Sequence, residues 1–237
     1  MVLLKKLAIF ILLLGTLASC KALPIRTHVE IEWVDFIKWN GKEYNGIYTA
    51  ELADEKSIGG KIGEVKFKVA DNIFDTHYKI KNGDAAFHEK GTEIYEIKGY
   101  PDYIAVKSPD KINGYAVYYD IDESEYNWYF KQVPLTKVSR IEIYQLMVSN
   151  ENKKVSELKT NKEVERFLQL LKNSRENPNF EPNMEKGDPT YYDILLYTDG
   201  PIAYKYDLQF DGFTYFWHPW DTNILSNDIN KFIPSKP

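Results

Sequence analysis

The first 19 residues constrain this chain most, because they have the three-part form of a secretory signal. Lys5 and Lys6 give a positive start, residues 7–14 are an uninterrupted apolar run, and residues 15–19 are small and weakly polar. Eight apolar residues in a helix cover only about 12 Å, far less than a hydrocarbon core of about 30 Å. We therefore expect residues 1–19 to be a signal peptide, and the fold to be built from residues 20–237.

Cys20 follows this segment directly and is the one cysteine of the sequence, so no disulfide framework is expected. The residues Leu17, Ala18, Ser19 and Cys20 resemble the bacterial lipobox, in which the cysteine is acylated and becomes the first residue of the mature chain. The resemblance implies a lipid anchor at Cys20 that holds the protein to the cell membrane on its extracytoplasmic face. Two acyl chains are needed for stable anchoring. The alternatives are an ordinary cleaved signal with a coincidental cysteine, and a buried free thiol.

The composition of residues 20–237 limits the partners and the fold class that can be expected. Removal of residues 1–19 would leave 218 residues with 28 basic and 35 acidic side chains, a formal charge of −7. This charge argues against nucleic acid as a partner and against a basic surface that binds lipid head groups. The 18 tyrosines favour strands and half-buried faces, so we expect a β-rich body.

The sequence predicts an α+β protein of two domains. Residues 20–29 would be a short tether from the lipid, and residues 30–130 a small all-β domain. Residues 131–237 would form a β-α-β-β-β-α domain, with a helix packed on an antiparallel sheet. The boundary is placed where the pattern changes, close to Pro134, and where the formal charge changes from −6 over the first part to −1 over the second.

Strands punctuated by turns fill the first part. We expect strands over residues 30–39, 44–50 and 64–69, with a turn at Asn40 and Gly41 between the first two. Further turns or bulges are expected at three glycines of the next stretch, Gly83, Gly91 and Gly99.

Residues 83–100 also carry a resemblance. Their glycines, the Ile94-Tyr95 pair and the Lys98-Gly99-Tyr100 end are similar to a segment of uncharacterised lipoproteins from Gram-positive spore-formers. The resemblance covers part of the first half and implies no activity.

The second part contains the clearest helix signal. Thr160 and Glu163 have the spacing of a capping box, and an apolar stripe at helical spacing follows: Val164, Phe167, Leu168 and Leu171. Strands are expected over residues 139–148 and 191–197, and a long polar loop over residues 173–189. A short closing helix is expected over residues 224–233.

Residues 204–217 predict a hairpin with a two-residue type I′ turn at Asp211 and Gly212. This register pairs Phe210 with Phe213, Leu208 with Tyr215, and Tyr206 with Trp217, all on one face. Phe216 then lies on the opposite, polar face, where we expect the closing helix to cover it. If it is left uncovered, Phe216 together with Trp220 is the ligand-binding candidate.

No metal site or cofactor is predicted. The acidic residues 120–125 lack the glycine and glutamate that a calcium-binding EF-hand loop needs at its sixth and twelfth positions, so a solvated acidic turn is expected. The four histidines are scattered without a short ligand spacing: His28, His77, His88 and His218. His77 and His88 could still meet across a hairpin.

These observations favour a non-catalytic binding or interaction protein at the cell surface. No nucleophile elbow, Ser-x-x-Lys motif or phosphate-binding glycine loop is present. Two alternatives stay open: a cell-envelope hydrolase with a pair of carboxylates, and an immunity or regulatory lipoprotein that acts on a membrane partner. Acidic residues gathered in one deep cleft would favour the hydrolase.

Overall fold

A computed structural model gives the structure of residues 31–147 and 152–233. Within this range, residues 33–73 and 79–233 belong to one compact unit, and residues 31–32 and 74–78 to another. The predicted signal peptide, the tether and Cys20 lie outside the described residues.

The described residues are mostly β-structure with little helix, as the tyrosine-rich composition predicts. The strands are β1 (Phe36–Trp39), β2 (Lys42–Gly46), β3 (Ala50–Leu52), β4 (Ile58–Glu64), β5 (Phe67–Lys68), β6 (Asp84–Ala85), β7 (Glu93–Ile97), β8 (Tyr100–Lys107), β9 (Tyr115–Asp120), β10 (Arg140–Leu146), β11 (Asn152–Leu158), β12 (Arg175–Glu176), β13 (Thr190–Tyr197), β14 (Ile202–Phe210), β15 (Tyr215–Trp217) and β16 (Asn223–Ile224). The α-helix among the described residues is α1 (Asn161–Lys172). Short 3₁₀ helices are formed by Glu55–Ser57, Phe130–Gln132, Leu135–Lys137 and Asn227–Lys231.

The first sheet has the strand order β4-β7-β8-β9-β2-β1-β6-β5. Its β1–β2 hairpin is closed by Asn40 and Gly41, whose φ angles of 50° and 80° are both positive, as a type I′ turn requires. The predicted turn there is confirmed. The inner face is apolar and contains the buried side chains of Ile37, Val65, Ile94, Ile104 and Val106.

The second sheet has the order β11-β10-β13-β14-β15-β16-β12, and β3 also pairs with β14. In this added pair Leu52 lies opposite Ile202 and Glu51 opposite Ala203. A strand from before residue 130 therefore belongs to the second sheet. The predicted boundary between residues 130 and 131 concerns whether the two parts fold independently. Strand pairing alone does not test independent folding, so the boundary stays a prediction.

Helix α1 covers the inner face of the second sheet. The predicted capping box is confirmed, since the Thr160 side chain accepts from the Glu163 amide and the Glu163 carboxylate accepts from the Thr160 amide. The apolar face of the helix joins one continuous core with side chains from β10, β13, β14 and β15. Its buried members include Val164, Phe167, Leu171, Ile141, Ile143, Ile194, Leu196, Tyr206, Leu208 and Trp217.

The β14–β15 hairpin differs from the predicted register. Phe210 pairs with Tyr215 and Leu208 with Trp217, so the loop has four residues rather than two. The reason is that Asp211 does not adopt the positive φ of a type I′ turn; its carboxylate instead accepts from the amides of Phe213 and Thr214 at 2.9 and 2.7 Å. Phe213 consequently leaves the core face on which the sequence placed it.

Two other segments differ from expectation. The predicted closing helix over residues 224–233 is the short strand β16 followed by the 3₁₀ helix Asn227–Lys231, capped by Ser226. Strand β11 was not predicted at all. Its sequence, Asn-Lys-Lys-Val-Ser-Glu-Leu, has no regular apolar alternation, because it lies at the edge of the sheet.

The outer face of the second sheet carries a buried carboxylate, Glu142. Arg140 and Lys154 pair with it at 2.8 and 3.0 Å, and the hydroxyls of Tyr144 and Tyr197 donate to it at 2.8 and 2.6 Å. Burial alone would raise the pKa of Glu142, but these hydrogen bonds and charges outweigh it and hold the pKa below its usual value. The group is therefore an ionised, satisfied part of the fold.

Candidate ligand-binding site

An open pocket of about 420 Å³ lies at one end of the second sheet. We call it the tyrosine pocket, after the two buried tyrosines, Tyr192 and Tyr215, that line it. The residues that line it are Lys186, Asp188, Thr190, Tyr192, Phe210, Asp211, Gly212, Phe213, Tyr215, Asn227 and Asn230.

Strand register places the two tyrosines. Tyr192 on β13 lies opposite Leu208, and Tyr215 on β15 lies opposite Phe210. Because Leu208 and Phe210 are two apart on β14, all four side chains are on the core face of the sheet. The rings of Phe210 and Tyr215 stack with centroids 4.2 Å apart and planes 21° apart. The tyrosines therefore extend the apolar core to the wall of the pocket.

The hydroxyls of Tyr192 and Tyr215 are the unusual part of this wall. Neither forms a hydrogen bond with a described residue, and neither oxygen is among the fully enclosed unpaired atoms of the described chain. Burial raises the pKa of Tyr192, and burial together with the nearby Tyr192 raises that of Tyr215 to about 12. At neutral pH both groups are uncharged and can each donate and accept a hydrogen bond.

The rim of the pocket carries the aromatic ring of Phe213 and the ammonium group of Lys186. Phe213 is 46% exposed, and the Lys186 ammonium lies 4.1 Å from the centre of its ring while donating to the Gly212 carbonyl at 3.1 Å. The Asn227 amide donates to the Phe213 carbonyl at 3.3 Å. These contacts hold an exposed ring at the entrance.

Asp211 fixes the shape of this entrance. Its buried carboxylate accepts from the amides of Asn183, Phe213 and Thr214 at distances of 2.7–2.9 Å. Burial would raise its pKa, but these amides outweigh burial and lower it. An ionised Asp211 thus joins the loop before β13 to the β14–β15 loop on the two sides of the pocket.

Sequence reasoning found Asp211 only as a turn residue and placed Tyr215 only in the core. It missed Tyr192 and the loop residues Lys186 and Asp188, because the polar loop has no pattern that shows where it returns. One sequence signal could have indicated the pocket: core-facing positions near strand ends are occupied by tyrosine rather than phenylalanine. A buried phenol needs a partner for its hydroxyl.

A larger cavity, of about 530 Å³, runs beside α1 and the segment before β10. Its polar groups belong to exposed side chains, including Lys137, Glu165, Gln169 and Lys172. Water can hydrogen-bond to these exposed groups in the absence of a ligand. The groove is therefore a weaker candidate for a binding site than the tyrosine pocket.

The two predicted ligand-binding residues, Phe216 and Trp220, are not brought together. Phe216 is 2% exposed, and its ring lies 4.9 Å from that of Phe180 in the loop before β13. Phe216 is covered, as predicted, but the ring contact comes from this loop and not from the predicted closing helix, whose residues form β16 and a 3₁₀ helix instead. Trp220 is 78% exposed and lies against Tyr129, with ring centroids 5.3 Å apart, at an apolar pocket of about 150 Å³.

One residue of the acidic segment, Asp120, and one histidine, His88, contact side chains elsewhere in the first sheet. Asp120 is buried and pairs with Lys42 at 2.6 Å, while Asp122 and Glu123 are exposed. The Nε2 atom of His88 lies 2.6 Å from the Tyr118 hydroxyl, which donates to the carboxylate of Asp35 at 2.9 and 3.0 Å.

Two further histidines, His77 and His218, lie close to acidic side chains. His28 lies outside the described residues. His77, in the separate unit, lies 3.2 Å from Asp75, and His218 lies 3.4 Å from Asp207. No group of three or more histidine, cysteine or acidic side chains in residues 31–147 and 152–233 is arranged to hold a metal ion.

The chain matches no protein-family model, no curated protein and no solved structure. In the part of the chain that the structure describes, no helix has the length and apolar character needed to cross a membrane. The resemblance of residues 83–100 to lipoproteins of spore-formers stays a prediction.

Proposed function

We propose that this chain is an extracytoplasmic, lipid-anchored binding protein whose tyrosine pocket holds an uncharged, hydroxyl-rich ligand such as an envelope glycan. The observation that carries the proposal is the pair of phenol hydroxyls, Tyr192 and Tyr215, that line an open pocket without a described partner. A polar group held in an apolar wall costs free energy unless a ligand or water satisfies it. Such groups are what a binding site presents.

The chemistry of the wall favours a sugar. Sugar rings combine an apolar face, which packs on aromatic rings, with hydroxyls that both donate and accept. Phe213 offers an exposed ring, and the two tyrosines and Asn230 offer neutral polar groups. Lys186 and Asp188 contribute one charge of each sign, and the carboxylate of Asp211 already accepts from three backbone amides, so it is not left unpaired to select a cation. Pockets with mostly apolar walls and few placed polar groups are typical of ligand sites.

Anchoring at Cys20 is part of the proposal. The signal-like residues 1–19 and the lipobox-like Leu17–Cys20 segment support it. Cys20→Ser should abolish metabolic labelling with a fatty acid and leave the precursor unprocessed. A variant that still enters the detergent phase as the wild type does would contradict the anchor.

For the layout of the chain we propose an all-β part over residues 30–130 and an α+β part over residues 131–237. The packing of α1 on the second sheet supports the latter. Limited proteolysis of a soluble form that begins at Lys21 should give two resistant fragments that meet within residues 130–136. A single fragment that spans both parts, or cleavage only elsewhere, would contradict two folding units.

The binding proposal is tested by removing only the hydroxyls. Tyr192→Phe and Tyr215→Phe keep the rings, so we expect wild-type melting temperatures. Each should weaken the binding of a neutral oligosaccharide about fivefold, the effect of one hydrogen bond of about 1 kcal/mol. The probes are soluble oligomers of glucose, galactose and N-acetylglucosamine, titrated by calorimetry. Tyr191→Phe is the matched control, because Tyr191 is the exposed neighbour on the other face of β13.

Unchanged affinity in both pocket variants, or an equal loss in Tyr191→Phe, would contradict the proposed site. If no neutral oligosaccharide binds the wild type while a peptide or an anionic polymer does, then the ligand class is wrong.

One observation favours the alternative of a hydrolase. Glu51 and Asp193 line one cleft, and burial raises the pKa of both carboxyl groups, as a general acid requires. However, Glu51 is held in an ion pair with Lys205 at 3.1 Å, which suits binding better than proton transfer. Hydrolysis of cell-wall glycan or peptide by the wild type, lost in Asp193→Asn, would establish the alternative.

A further inference from the structure

One side of the tyrosine pocket is formed by residues 181–189, which we call the 181–189 loop. Lys186 and Asp188 line the pocket from this loop, and Thr190 then begins β13. None of its residues, all of which the structure describes, is buried. Because buried apolar contacts are the main source of local stability, the loop should open at a lower free energy than the sheet that it borders.

Two hydrogen bonds join the 181–189 loop to the rest of the described chain, and both end on the β14–β15 loop across the pocket. The amide of Asn183 donates to Oδ2 of Asp211 at 2.9 Å, and the Lys186 ammonium donates to the Gly212 carbonyl at 3.1 Å. The same ammonium lies 4.1 Å from the centre of the Phe213 ring. Polar contacts beside water contribute little net free energy, so the loop is held in place weakly.

The two ends of the loop are fixed to the sheet, so the part between them can move as a unit. Before its start, the ring of Phe180 lies 4.9 Å from the ring of the buried Phe216. After its end, Thr190 pairs with Phe210 in the sheet. Within the loop, Gly187 has a φ of 91°, which glycine adopts without strain, and no atom lies within 4 Å of the position that a Cβ would take. The backbone can therefore rotate at Gly187, as a hinge residue must.

We infer that the 181–189 loop is a lid on the tyrosine pocket, held shut by the carboxylate of Asp211 and the ammonium of Lys186. Opening breaks the two hydrogen bonds and widens the entrance for a ligand. Closing returns Lys186 and Asp188 to the wall of the pocket. The inference rests on the proposed function for the identity of the ligand, but the opening of the lid can be measured without one.

The first test asks whether the two contacts open together. Hydrogen exchange of the purified full chain, followed by NMR at neutral pH, reports on the Asn183 amide. Lys186→Met keeps an apolar chain at an exposed position, removes the ammonium, and leaves the bond between Asn183 and Asp211 untouched. If the lid opens as one unit, the Asn183 amide should still exchange about two- to fivefold faster, the effect of losing an exposed cation–π contact. Lys172→Met is the matched control, because Lys172 is exposed at the end of α1, and it should not change this exchange.

Asp211 divides its two oxygens between the two sides of the pocket. Oδ1 accepts from the amides of Phe213 and Thr214, whereas Oδ2 accepts from the amide of Asn183. Asp211→Asn separates these roles. The oxygen of the new side chain keeps the two bonds inside the β14–β15 loop, since the opposite orientation would lose both, and its NH₂ group then faces the Asn183 amide, from which it cannot accept. The variant should therefore release the lid and leave the β14–β15 loop in place.

The second test uses this variant. Release of the lid should separate Lys186 from the Phe213 ring, so the ring-current shift of the Lys186 methylene protons should disappear, although neither residue is changed. Asp221→Asn is the matched control, because Asp221 is another turn aspartate, whose Oδ1 accepts from the Thr222 amide at 2.7 Å, and it should keep the shift. The melting temperature shows whether each variant is folded. Lys186→Met changes only an exposed side chain, so it decides the question if Asp211→Asn does not fold.

Faster exchange of the Asn183 amide in Lys186→Met alone, together with loss of the ring-current shift in Asp211→Asn alone, would support the lid. Unchanged exchange in Lys186→Met, equal changes in the two lysine variants, or an Asn183 amide that exchanges as slowly as the core amides of β13 would overturn it.

A last measurement separates the lid from the proposed function. A soluble oligosaccharide that binds the tyrosine pocket should slow the exchange of the Asn183 amide, because it stabilises the closed lid. An oligosaccharide that binds at Tyr192 and Tyr215 without slowing this exchange would overturn the lid. If no oligosaccharide binds, the proposed function fails, and the exchange of the free chain still decides whether the 181–189 loop opens as one unit.

Discussion

Replacing Phe216 by alanine tests the packing of the β14–β15 hairpin. Phe216 is 2% exposed, it lies opposite Gln209 and Ile224 in the sheet, and its ring contacts Phe180. Removing the ring takes away the transfer free energy of a buried phenylalanine, about 1.5–3 kcal/mol, and leaves a cavity that the strand pairing keeps from closing. The sum should be about 3–5 kcal/mol of lost unfolding free energy.

The control is Phe213→Ala, the same substitution three residues away on the same hairpin. Phe213 is 46% exposed, so little buried surface is lost, although its contact with Lys186 disappears. An exposed cation–π contact contributes about 0.5–1 kcal/mol, which sets the upper limit for this variant.

Urea unfolding followed by tryptophan fluorescence measures both variants, with the slope against urea compared to confirm that each unfolds as the wild type does. In thermal unfolding, a loss of 3–5 kcal/mol in a chain of this size lowers the melting temperature by roughly 6–20 °C. A Phe216→Ala variant that melts with the wild type would refute the covered position, and so would equal losses in the two variants.

Three further predictions concern the fold. Thr160→Ala removes the N-cap of α1 and should cost about 1 kcal/mol in urea unfolding, whereas Thr160→Ser should restore most of it; equal loss in both would contradict the cap. Gly63→Ala should destabilise the first sheet, because a Cβ there overlaps the ring of Trp39, and combining it with Trp39→Ala should relieve the loss; no relief would contradict the contact.

The third fold prediction concerns Glu142, whose folded pKa is depressed. Its contribution is therefore present above its unfolded pKa and is lost as pH falls through the folded value. Glu142→Gln should cost about 1–3 kcal/mol at pH 7 and progressively less below about pH 4; a cost independent of pH would contradict an ionised Glu142.

Local patterns predicted the parts of the fold that local chemistry decides. The Asn40–Gly41 turn, the capping box at Thr160 and the core-facing alternation of β14 follow from neighbouring residues. The register of the β14–β15 hairpin did not follow, because Asp211 uses its side chain to hold three amides, one of them from a distant loop. Edge strands such as β11 have a polar sequence and therefore give no apolar signal.

The candidate sites were harder to predict from the sequence than the fold, because each is assembled from segments far apart in the chain. Tyr192 and Tyr215 could be assigned to a core face, but their shared pocket depends on a loop whose path the sequence does not specify. Glu51 reaches Lys205 only because β3 pairs with β14 across about 150 residues. The sequence does not distinguish Glu51 from the other acidic residues, 35 in all, as one that pairs with a distant lysine.

The most direct test of the central proposal is the binding of a neutral oligosaccharide to the double variant Tyr192→Phe/Tyr215→Phe. Two hydrogen bonds of about 1 kcal/mol each give about a 25-fold higher Kd than the wild type, with the melting temperature unchanged. If the tyrosine pocket binds the oligosaccharide through these two hydroxyls, calorimetry at neutral pH should give that result. A double variant that binds the oligosaccharide as tightly as the wild type and the Tyr191→Phe control would contradict it.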